Sequence, residues 1–355
     1  MVASTCAIAS CAAPAGEDDL ARYQASAQYS AQDQRFHNLP NPDARPTQGG
    51  ARIWWRFLFG DKTGTVPQDA IPVRPVTPAQ LQALPNDANH LIRLGHSSHL
   101  LKLQGQYWLI DPVFGERVSP FSFIGPKRFH PTPLPLQDLP PIAGLVLSHD
   151  HYDHLDRPTI EYLRGKVERY FVPLAVGARL REMGVEPGRI TELDWWQEAE
   201  HAGVRLTATP SQHFSGRSLN DRDSTLWASW ALQVGGQRIF YSGDSGYFQG
   251  FAEIGRRLGP FDLALMENGA YDAWWPSVHM TPEETVRAFE DLRGQVLYSV
   301  HNSTFALAFH AWREPLDRLA DLAQQRGIAL ATPEIGELMT VGQPRGNALW
   351  WKDLH

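Results

Sequence analysis

A dense cluster of histidine and aspartate residues follows an apolar run near the middle of the chain. Three histidines and two aspartates occupy the six positions from His149 to His154, directly after the apolar run 144–147 and Ser148. Neutral imidazoles and carboxylates are ligands that zinc and similar divalent ions accept. A tight loop at the end of a buried strand directs several such side chains into one cavity. The cluster therefore predicts a fold that presents a metal site at a strand end.

The residue composition restricts the ligands that such a site can use. The chain of 355 residues contains 14 histidines but only 2 cysteines, Cys6 and Cys11. Because both cysteines lie near the start, the rest of the chain has no disulfide framework, thiolate metal site or cysteine nucleophile. The net charge is −7 and no dense basic patch is visible, so we do not expect nucleic-acid binding.

Apolar runs alternate with turn signals from residue 90 onward, which indicates an α/β fold. We expect strands at 90–94, 99–103, 107–110, 144–147, 169–172, 204–209, 228–234, 238–242, 263–266 and 295–300. We expect helices at 159–163, 176–183, 282–292 and 315–326, and a proline-rich loop at 131–141. Hairpins followed by mixed strands and helices favour two sheets covered by helices, a four-layer αββα sandwich.

The first 85 residues differ in composition from the rest of the chain. Residues 1–16 contain a sequence at Ile8–Cys11 that resembles a bacterial lipobox, in which the cysteine is lipidated. The alternative interpretation is a disordered tail, so the location is left open between the cytoplasm and the bacterial cell envelope. We interpret residues 17–85 as an extension that packs through its aromatic run Ile53–Phe59 on a main domain, residues 86–355. A membrane-facing patch is the alternative for that run.

Three further candidate ligands each follow a predicted apolar strand. They are His213, Asp244 and His301. In open α/β sheets, ligands bind outside the carboxyl ends of the strands. A single histidine at such a position is more often structural, but together with the 149–154 cluster these residues converge on one predicted site.

The order and spacing of these residues resemble the signature of the metallo-β-lactamase superfamily, a His-x-His-x-Asp-His motif followed by His, Asp and His. The corresponding positions here are His149, His151, Asp153, His154, His213, Asp244 and His301. Within that superfamily, the chain is similar to the N-acylphosphatidylethanolamine-hydrolysing phospholipase D group and its bacterial relatives. The stretches that carry this similarity are Leu94–Ser98, Leu109–Phe114, Ser148–Asp156, Trp227–Trp230, Tyr241–Tyr247 and Gly269–Tyr271.

One departure from that group lies beside the last candidate ligand. The chain has His301-Asn302-Ser303-Thr304-Phe305 where relatives usually have His-Trp-Gly-Thr-Phe. The ligand is retained, but the pocket wall beside it differs. The resemblance therefore leaves the exact substrate open.

The resemblance implies a site with two Zn²⁺ ions, with Mn²⁺ and other divalent ions as alternatives. By that pattern, His149, His151 and His213 hold one ion. The second ion is held by Asp153, His154 and His301, and Asp244 bridges the two. The implied activity is hydrolysis of phospholipid phosphodiesters by a metal-bridging hydroxide, which zinc makes available because it lowers the pKa of bound water to about 7.

Several further residues are candidates for catalysis or for contact with the substrate. The predicted catalytic set is Asp153, Asp244, His279 and Tyr271. His279 is expected to contact the substrate or protonate a leaving group, and Tyr271 to hydrogen-bond a phosphoryl oxygen. Trp274 and Trp275 are expected to line a groove for acyl chains. The alternatives are a histidine at the start of a helix and packed aromatic residues.

Three other polar residues are expected to support the site rather than to form it. We interpret His96 and His99 as structural, and Asp111 as a residue that orients a metal ligand or a loop.

Two other functions remain open at the level of the sequence. One is a lactonase-type metallohydrolase of the same fold, and the other is a metal-binding envelope protein without catalytic turnover. The expected partner is a phospholipid or another small phosphodiester, while peripheral membrane association and a homodimer are left open.

Overall fold

The computed structural model describes residues 17–343 and 348–355, so the predicted tail 1–16 with Cys11 lies outside the described residues. The helices are α1 (Glu17–Gln24), α2 (Gly50–Phe59), α3 (Pro78–Ala83), α4 (Arg157–Leu163), α5 (Val176–Glu182), α6 (Gly250–Leu258), α7 (Pro282–Asp291) and α8 (Glu314–Arg326). The strands up to the middle of the chain are β1 (Tyr29–Ser30), β2 (Arg35–Phe36), β3 (His90–Gly95), β4 (Ser98–Leu103), β5 (Gln106–Ile110), β6 (Ile142–Val146), β7 (Val167–Pro173) and β8 (Ile190–Leu193). The later strands are β9 (Glu198–His201), β10 (Val204–Thr209), β11 (Ser229–Val234), β12 (Gln237–Tyr241), β13 (Leu263–Glu267), β14 (Val296–Val300), β15 (Ala329–Ala331) and β16 (Leu338–Thr340).

Two seven-stranded mixed sheets form the centre of the described part of the chain. The first has the order β16-β3-β4-β5-β6-β7-β8, and the second has the order β15-β14-β13-β12-β11-β10-β9. In each sheet an antiparallel half continues into a parallel half, which begins between β5 and β6 in the first sheet and between β12 and β13 in the second. Each sheet therefore begins with hairpins and continues with strands connected by helices, whereas the sequence indicates one such change, from a hairpin-rich first half to a mixed second half.

Three large apolar clusters explain the layers. One cluster contains side chains from both sheets, such as Trp108 of β5 and Trp230 of β11, and fills the space between them. A second joins the first sheet to α3, α4 and α5, and a third joins the second sheet to α6, α7 and α8. Strands that are buried on both faces read as continuous apolar runs, as in the fully buried β6. The predicted four-layer αββα sandwich is therefore confirmed.

Helices and strands with a strong sequence pattern lie where the sequence predicts them. Elements with a weak pattern are not predicted from the sequence. The helix at 282–291 begins at Thr281, whose side chain accepts from the Glu284 amide in a complete capping box. The helix α8 ends at Gly327 in the left-handed conformation, with φ of +65°. The sequence does not predict α6, which contains two glycines, or the polar strand β9.

The segment before residue 86 packs on the rest of the chain at several places: α2 packs beside the loop after β13, α3 packs on the first sheet, and Tyr23 and Phe36 enter the core between the sheets. Arg56 Nη1 donates to Asp272 Oδ1 at 2.7 Å, and the Phe57 ring lies parallel to that of Trp275. On another side of the helix, Trp55 and Phe59 are each 67% exposed. The expected aromatic segment is therefore one of several contacts between the extension and the rest of the chain, while the division at residue 85 stays a prediction. Among the described residues, no helix is both long and apolar enough to cross a membrane.

Candidate metal centre

The seven predicted ligands meet at one edge of the two sheets. Each follows the carboxyl end of a strand: β6 for the residues of the 149–154 cluster, β10 for His213, β12 for Asp244 and β14 for His301. The ligand atoms form two groups, each within 4.8 Å, which are His149, His151, His213 and Asp244, and His96, Asp153, His154 and His301. A third group joins Asp244 and His301 to Glu267 and His279.

The first group is held together by three imidazoles. His149 Nε2 lies 2.8 Å from His151 Nδ1, and His213 Nε2 lies 3.3 Å from the same atom. Asp244 Oδ2 lies 3.8 Å from the Nε2 atoms of His149 and His213. Three nitrogens and one carboxylate oxygen, all converging, form a donor set that suits tetrahedral zinc.

The second group centres on one carboxylate oxygen. Asp153 Oδ2 lies 3.0 Å from His96 Nε2, 3.2 Å from His301 Nε2 and 3.4 Å from His154 Nε2. His96, which the sequence indicates to be structural, is therefore part of this cluster. It lies in the β3–β4 hairpin with φ of +52°, directly after the end of β3, and this position after a predicted strand is the sequence signal that could have selected it.

Asp244 connects the two groups. Its Oδ1 lies 3.2 Å from His154 Nε2, while its Oδ2 lies 3.0 Å from His301 Nε2 and also faces the first group. Both oxygens of Asp244 thus face histidines of the second group, and Oδ2 also faces the first group, so the two groups share this carboxylate.

Two buried atoms at this junction test whether a cation fits. His154 Nε2 and Asp244 Oδ1 are both buried and have no hydrogen-bond partner among the described residues. Buried polar atoms without partners are rare because desolvation is costly, and a cation between a nitrogen and a carboxylate oxygen satisfies both. The residues present therefore fit a bound divalent cation.

Asp111 orients two of the predicted histidine ligands. Its Oδ2 lies 2.6 Å from His154 Nδ1 and accepts from the Ser148 hydroxyl, whose oxygen is 2.9 Å from His149 Nδ1. The Ser148 backbone N–H donates to Asp111 Oδ1 at 2.8 Å. Because Nδ1 of each ring is engaged, Nε2 is left to face the cluster. His213 is fixed similarly, since its Nδ1 donates to the Val278 carbonyl at 2.9 Å.

The histidines of the site fall into two sets, one with a lowered pKa and one with a raised pKa, because of burial and the two aspartates. Burial lowers the pKa values of His149 and His213 well below the usual range, so both rings are neutral and ready to bind a cation. Burial alone would also lower the pKa of His154, but the carboxylates of Asp244 and Asp153 outweigh it and raise that pKa well above the usual range. The same balance, with Asp244 dominant, raises the pKa of His301 to about 10.

A cavity of about 280 Å³ opens onto these residues. Its polar part includes His151, Asp153, Asp244 and His301 from the two groups, together with Arg222. Its apolar part is formed by Ile53, Phe57, Phe214, Trp275, Val278 and Leu307. Ile53 and Phe57 come from α2, so the N-terminal extension builds one wall of this cavity.

The structure brings some of the predicted substrate contacts to the cavity and not others. His279 and Trp275 line it. The Tyr271 hydroxyl instead donates to Glu314 Oε1 at 2.8 Å, and its ring stacks on His310. Trp274 lies against the guanidinium of Arg56, at 4.8 Å from the ring centroid. The described lining therefore includes neither the Tyr271 side chain nor that of Trp274.

Glu267 is a site residue that the sequence reasoning does not select. It is the last residue of β13, it is fully buried, and its Oε1 is hydrogen-bonded to His279 Nδ1. A signal exists, because β13 lies between β12 and β14, whose ends carry Asp244 and His301. An acidic residue at the end of the intervening strand must reach the same edge.

Comparison with known proteins defines the class. Residues 107–302 match the model of the beta-lactamase superfamily domain. The chain therefore belongs to this superfamily and has the metallo-β-lactamase fold. It is a metallo-hydrolase of that fold, whose clusters of candidate ligands imply bound metal ions.

Similarity to individual proteins covers more of the chain than the match to the family model. An uncharacterized protein of Mycobacterium tuberculosis is 44% identical over 289 residues, which cover 79% of this chain and 77% of the relative. The N-acyl-phosphatidylethanolamine-hydrolyzing phospholipase D 1 of Caenorhabditis elegans is 34% identical over 262 residues, covering 69% and 74%. Igni18, a metallo hydrolase from the archaeon Ignicoccus hospitalis, shares the fold with a TM-score of 0.55 at 20% identity, covering 71% of this chain and 98% of Igni18.

Proposed function

We propose that this protein hydrolyses phosphodiester bonds of N-acylphosphatidylethanolamine-like phospholipids with two zinc ions. The observation that carries the proposal is one cavity in which a cluster of metal-ligating residues adjoins an apolar wall. A phospholipid presents the same two parts, a charged phosphodiester and apolar chains. The similarity to the Caenorhabditis elegans phospholipase D supports this substrate class.

The residues proposed to hold the metals are those of the two clusters. His149, His151 and His213 would hold one ion, and Asp153, His154 and His301 the other, with Asp244 between them. When bound, divalent ions of this kind act as Lewis acids and lower the pKa of coordinated water to about 7. His96 is a further candidate donor for the second ion, because its Nε2 faces Asp153.

The charge of the site suits an anionic substrate. Two divalent ions bring four positive charges, and Asp153 and Asp244 offset two of them. Arg222, at the edge of the cavity, is paired with Asp223 at 3.3 Å, so its charge is largely offset and the positive charge of the site would come from the ions. The site therefore stays positive even with a hydroxide present, which favours binding of a phosphodiester and stabilises charge that develops on its oxygens.

Asp153 and His279 are proposed to act on the reacting group itself. One oxygen of Asp153 faces the histidines, so its other oxygen is available to orient the attacking water. His279 lines the cavity beside His213 and His301, with ring centroids 5.1 and 5.3 Å apart, and is proposed to contact the oxygen of the leaving group. Trp275 is proposed to contact the acyl chains.

The test is a substrate panel with purified protein loaded with zinc or with manganese. Bis(4-nitrophenyl) phosphate, N-acylphosphatidylethanolamine in mixed micelles and a set of lactones are assayed together, with metal content measured on the same samples. We expect about two metal ions per chain, cleavage of both phosphodiesters, and loss of nearly all activity in Asp244→Asn. Lactone opening without phosphodiester cleavage would contradict the proposal and support the lactonase alternative.

A further inference from the structure

We propose that Glu267 is a positioning residue that holds His279 so that its Nε2 atom faces the leaving-group oxygen of the substrate. This inference rests on the proposed phosphodiesterase function. Glu267 lies behind His279 as seen from the cavity, since His279 lines the cavity and is 13% exposed at its side chain while Glu267 is 0% exposed.

Both oxygens of the Glu267 carboxyl group have defined partners. Oε1 is hydrogen-bonded to His279 Nδ1, and Oε2 accepts from the Ser245 backbone N–H at 2.5 Å. A carboxyl group that is fixed by a backbone amide and removed from water has little freedom to change partners. For this role the Glu267 carboxyl group donates its proton to Nδ1 of His279, so the single N–H of the neutral ring lies on Nε2 and faces the cavity.

The backbone around His279 is fixed from both sides. The preceding carbonyl, that of Val278, accepts from the metal-ligand candidate His213. The residue Thr281 begins α7 with a capping box, and its neighbour Met280 is fully buried. Glu267 itself is anchored at the end of β13, where Thr285 of α7 donates to its carbonyl at 2.8 Å. The ring of His279 is therefore placed by strand, helix and side chain together.

The chemistry explains why such a fixed imidazole is useful. When a phosphodiester of an alkyl alcohol is hydrolysed, a water-derived oxygen forms a bond to phosphorus while the P–O bond to the leaving oxygen breaks. The electron pair of the broken bond stays on the leaving oxygen, and the proton that the water loses ends on that oxygen to give the free alcohol. An alkoxide is a poor leaving group, so a hydrogen-bond donor aimed at this oxygen stabilises the transition state. A nitrophenolate leaves readily without such a donor. Loss of the donor should therefore slow the alkyl ester more than the nitrophenyl ester, whereas general damage to the structure should slow both equally.

The experiment compares two substrates in four variants. The substrates are N-acylphosphatidylethanolamine, whose leaving group is an alkoxide, and bis(4-nitrophenyl) phosphate. The variants are His279→Gln, Glu267→Gln, Glu267→Ala and the control Glu192→Gln. Glu192, in β8, is also a buried strand glutamate, but its carboxylate pairs with Arg22 of α1.

We expect His279→Gln to lower kcat for the lipid about 100-fold, the scale of a lost acid–base contact, with a loss of about threefold for the nitrophenyl ester. Glu267→Ala should lower kcat for the lipid about tenfold and affect the nitrophenyl ester less. Glu267→Gln should have a smaller effect on kcat for the lipid than Glu267→Ala. The control Glu192→Gln should leave the rates on both substrates unchanged. Adding Glu267→Ala to His279→Gln should cause little further loss, because both act through one contact.

Two further measurements keep the inference testable on its own. Metal content should be unchanged in every variant, and ¹⁵N spectra of the zinc-loaded protein should show the Nδ1 signal of His279 shifting in Glu267→Ala. Loss of metal with equal loss on both substrates would overturn the inference and assign Glu267 to the third cluster as a ligand. An unchanged Nδ1 signal would also overturn it. A wild-type protein that cleaves neither substrate would refute the proposed function, while the spectra would still decide whether Glu267 holds His279.

Discussion

The ring of Phe57 lies parallel to the ring of Trp275, with 7° between the planes and 6.0 Å between the centroids. Phe57 belongs to α2, whereas Trp275 lies in the loop before α7, and both line the cavity at the candidate metal centre. One wall of the site is therefore built by a segment that the composition of the sequence sets apart from the main domain.

Replacement of Phe57 by alanine tests this wall. Removing a buried aromatic contact of this size weakens apolar binding by about 1.5–3 kcal/mol, so we expect the KM for N-acylphosphatidylethanolamine to rise at least about tenfold. The kcat/KM for bis(4-nitrophenyl) phosphate should change little, since that substrate lacks acyl chains. Steady-state kinetics on both substrates checks this.

The matched control is Phe123→Ala, because Phe123 is 79% exposed and does not line the cavity. An equal loss on both substrates in Phe57→Ala would show that α2 supports the fold of the site rather than binding of the lipid.

A second prediction concerns Asp111, which lies beneath the metal-ligand candidates. Because Asp111 orients His154 directly and His149 through Ser148, Asp111→Asn should lower metal affinity about 10–100-fold, the usual cost of losing such a partner. Competition with a fluorescent chelator measures this affinity. Asp138→Asn, at a surface turn, serves as the control. An unchanged affinity in Asp111→Asn would contradict the inferred role.

The ligand set is predictable from the sequence because each ligand is tied to a strand end. The apolar runs that precede His213, Asp244 and His301 identify β10, β12 and β14, and parallel strands in one sheet bring their carboxyl ends to one edge. The same rule applies to Glu267 at the end of β13, but a lone acidic residue has no motif that draws attention to it. The rule also applies to His96, which directly follows β3, but the short hairpin to β4 makes this histidine resemble a turn residue and no motif marks it.

The cavity walls are less predictable than the ligands because they depend on packing between distant segments. Apolar residues occur on more than one side of α2, so the pattern does not indicate that Phe57 faces the cavity while Trp55 is exposed. Tyr271 is adjacent in sequence to cavity residues, but its hydroxyl is taken by Glu314, which follows 43 residues later. Only the tertiary structure brings these pairs together.

A third prediction is that metal binding competes with protons at the second group of ligands. The carboxylates raise the pKa of His154 above the usual range and that of His301 to about 10, so in the metal-free protein both rings carry protons at neutral pH. A cation must displace those protons, so affinity should rise as the pH rises toward these values. Zinc titrations at pH 6, 7 and 8 check this.

Calorimetry provides an independent check of the same competition. The apparent enthalpy of zinc binding at pH 7 should vary with the ionisation enthalpy of the buffer, with a slope that corresponds to released protons. His301→Gln should reduce this slope, because it removes one of the protonated rings. A buffer-independent enthalpy, or an affinity that does not change with pH, would contradict the assignment.

The last prediction uses two capping boxes that share the same local chemistry. Thr281 caps α7 next to His279, and Thr77 caps α3 with Gln80 in the same reciprocal pattern. Alanine at either position should lower the free energy of unfolding by about 1 kcal/mol, because each helix loses the acceptor for a backbone N–H. Urea denaturation of the metal-loaded protein measures both losses. Only Thr281→Ala should also reduce kcat for the lipid substrate, since its cap fixes the backbone that carries His279, whereas α3 contributes no residue to the described cavity lining. Equal kinetic effects in the two variants would mean that general stability, rather than the placement of His279, limits catalysis.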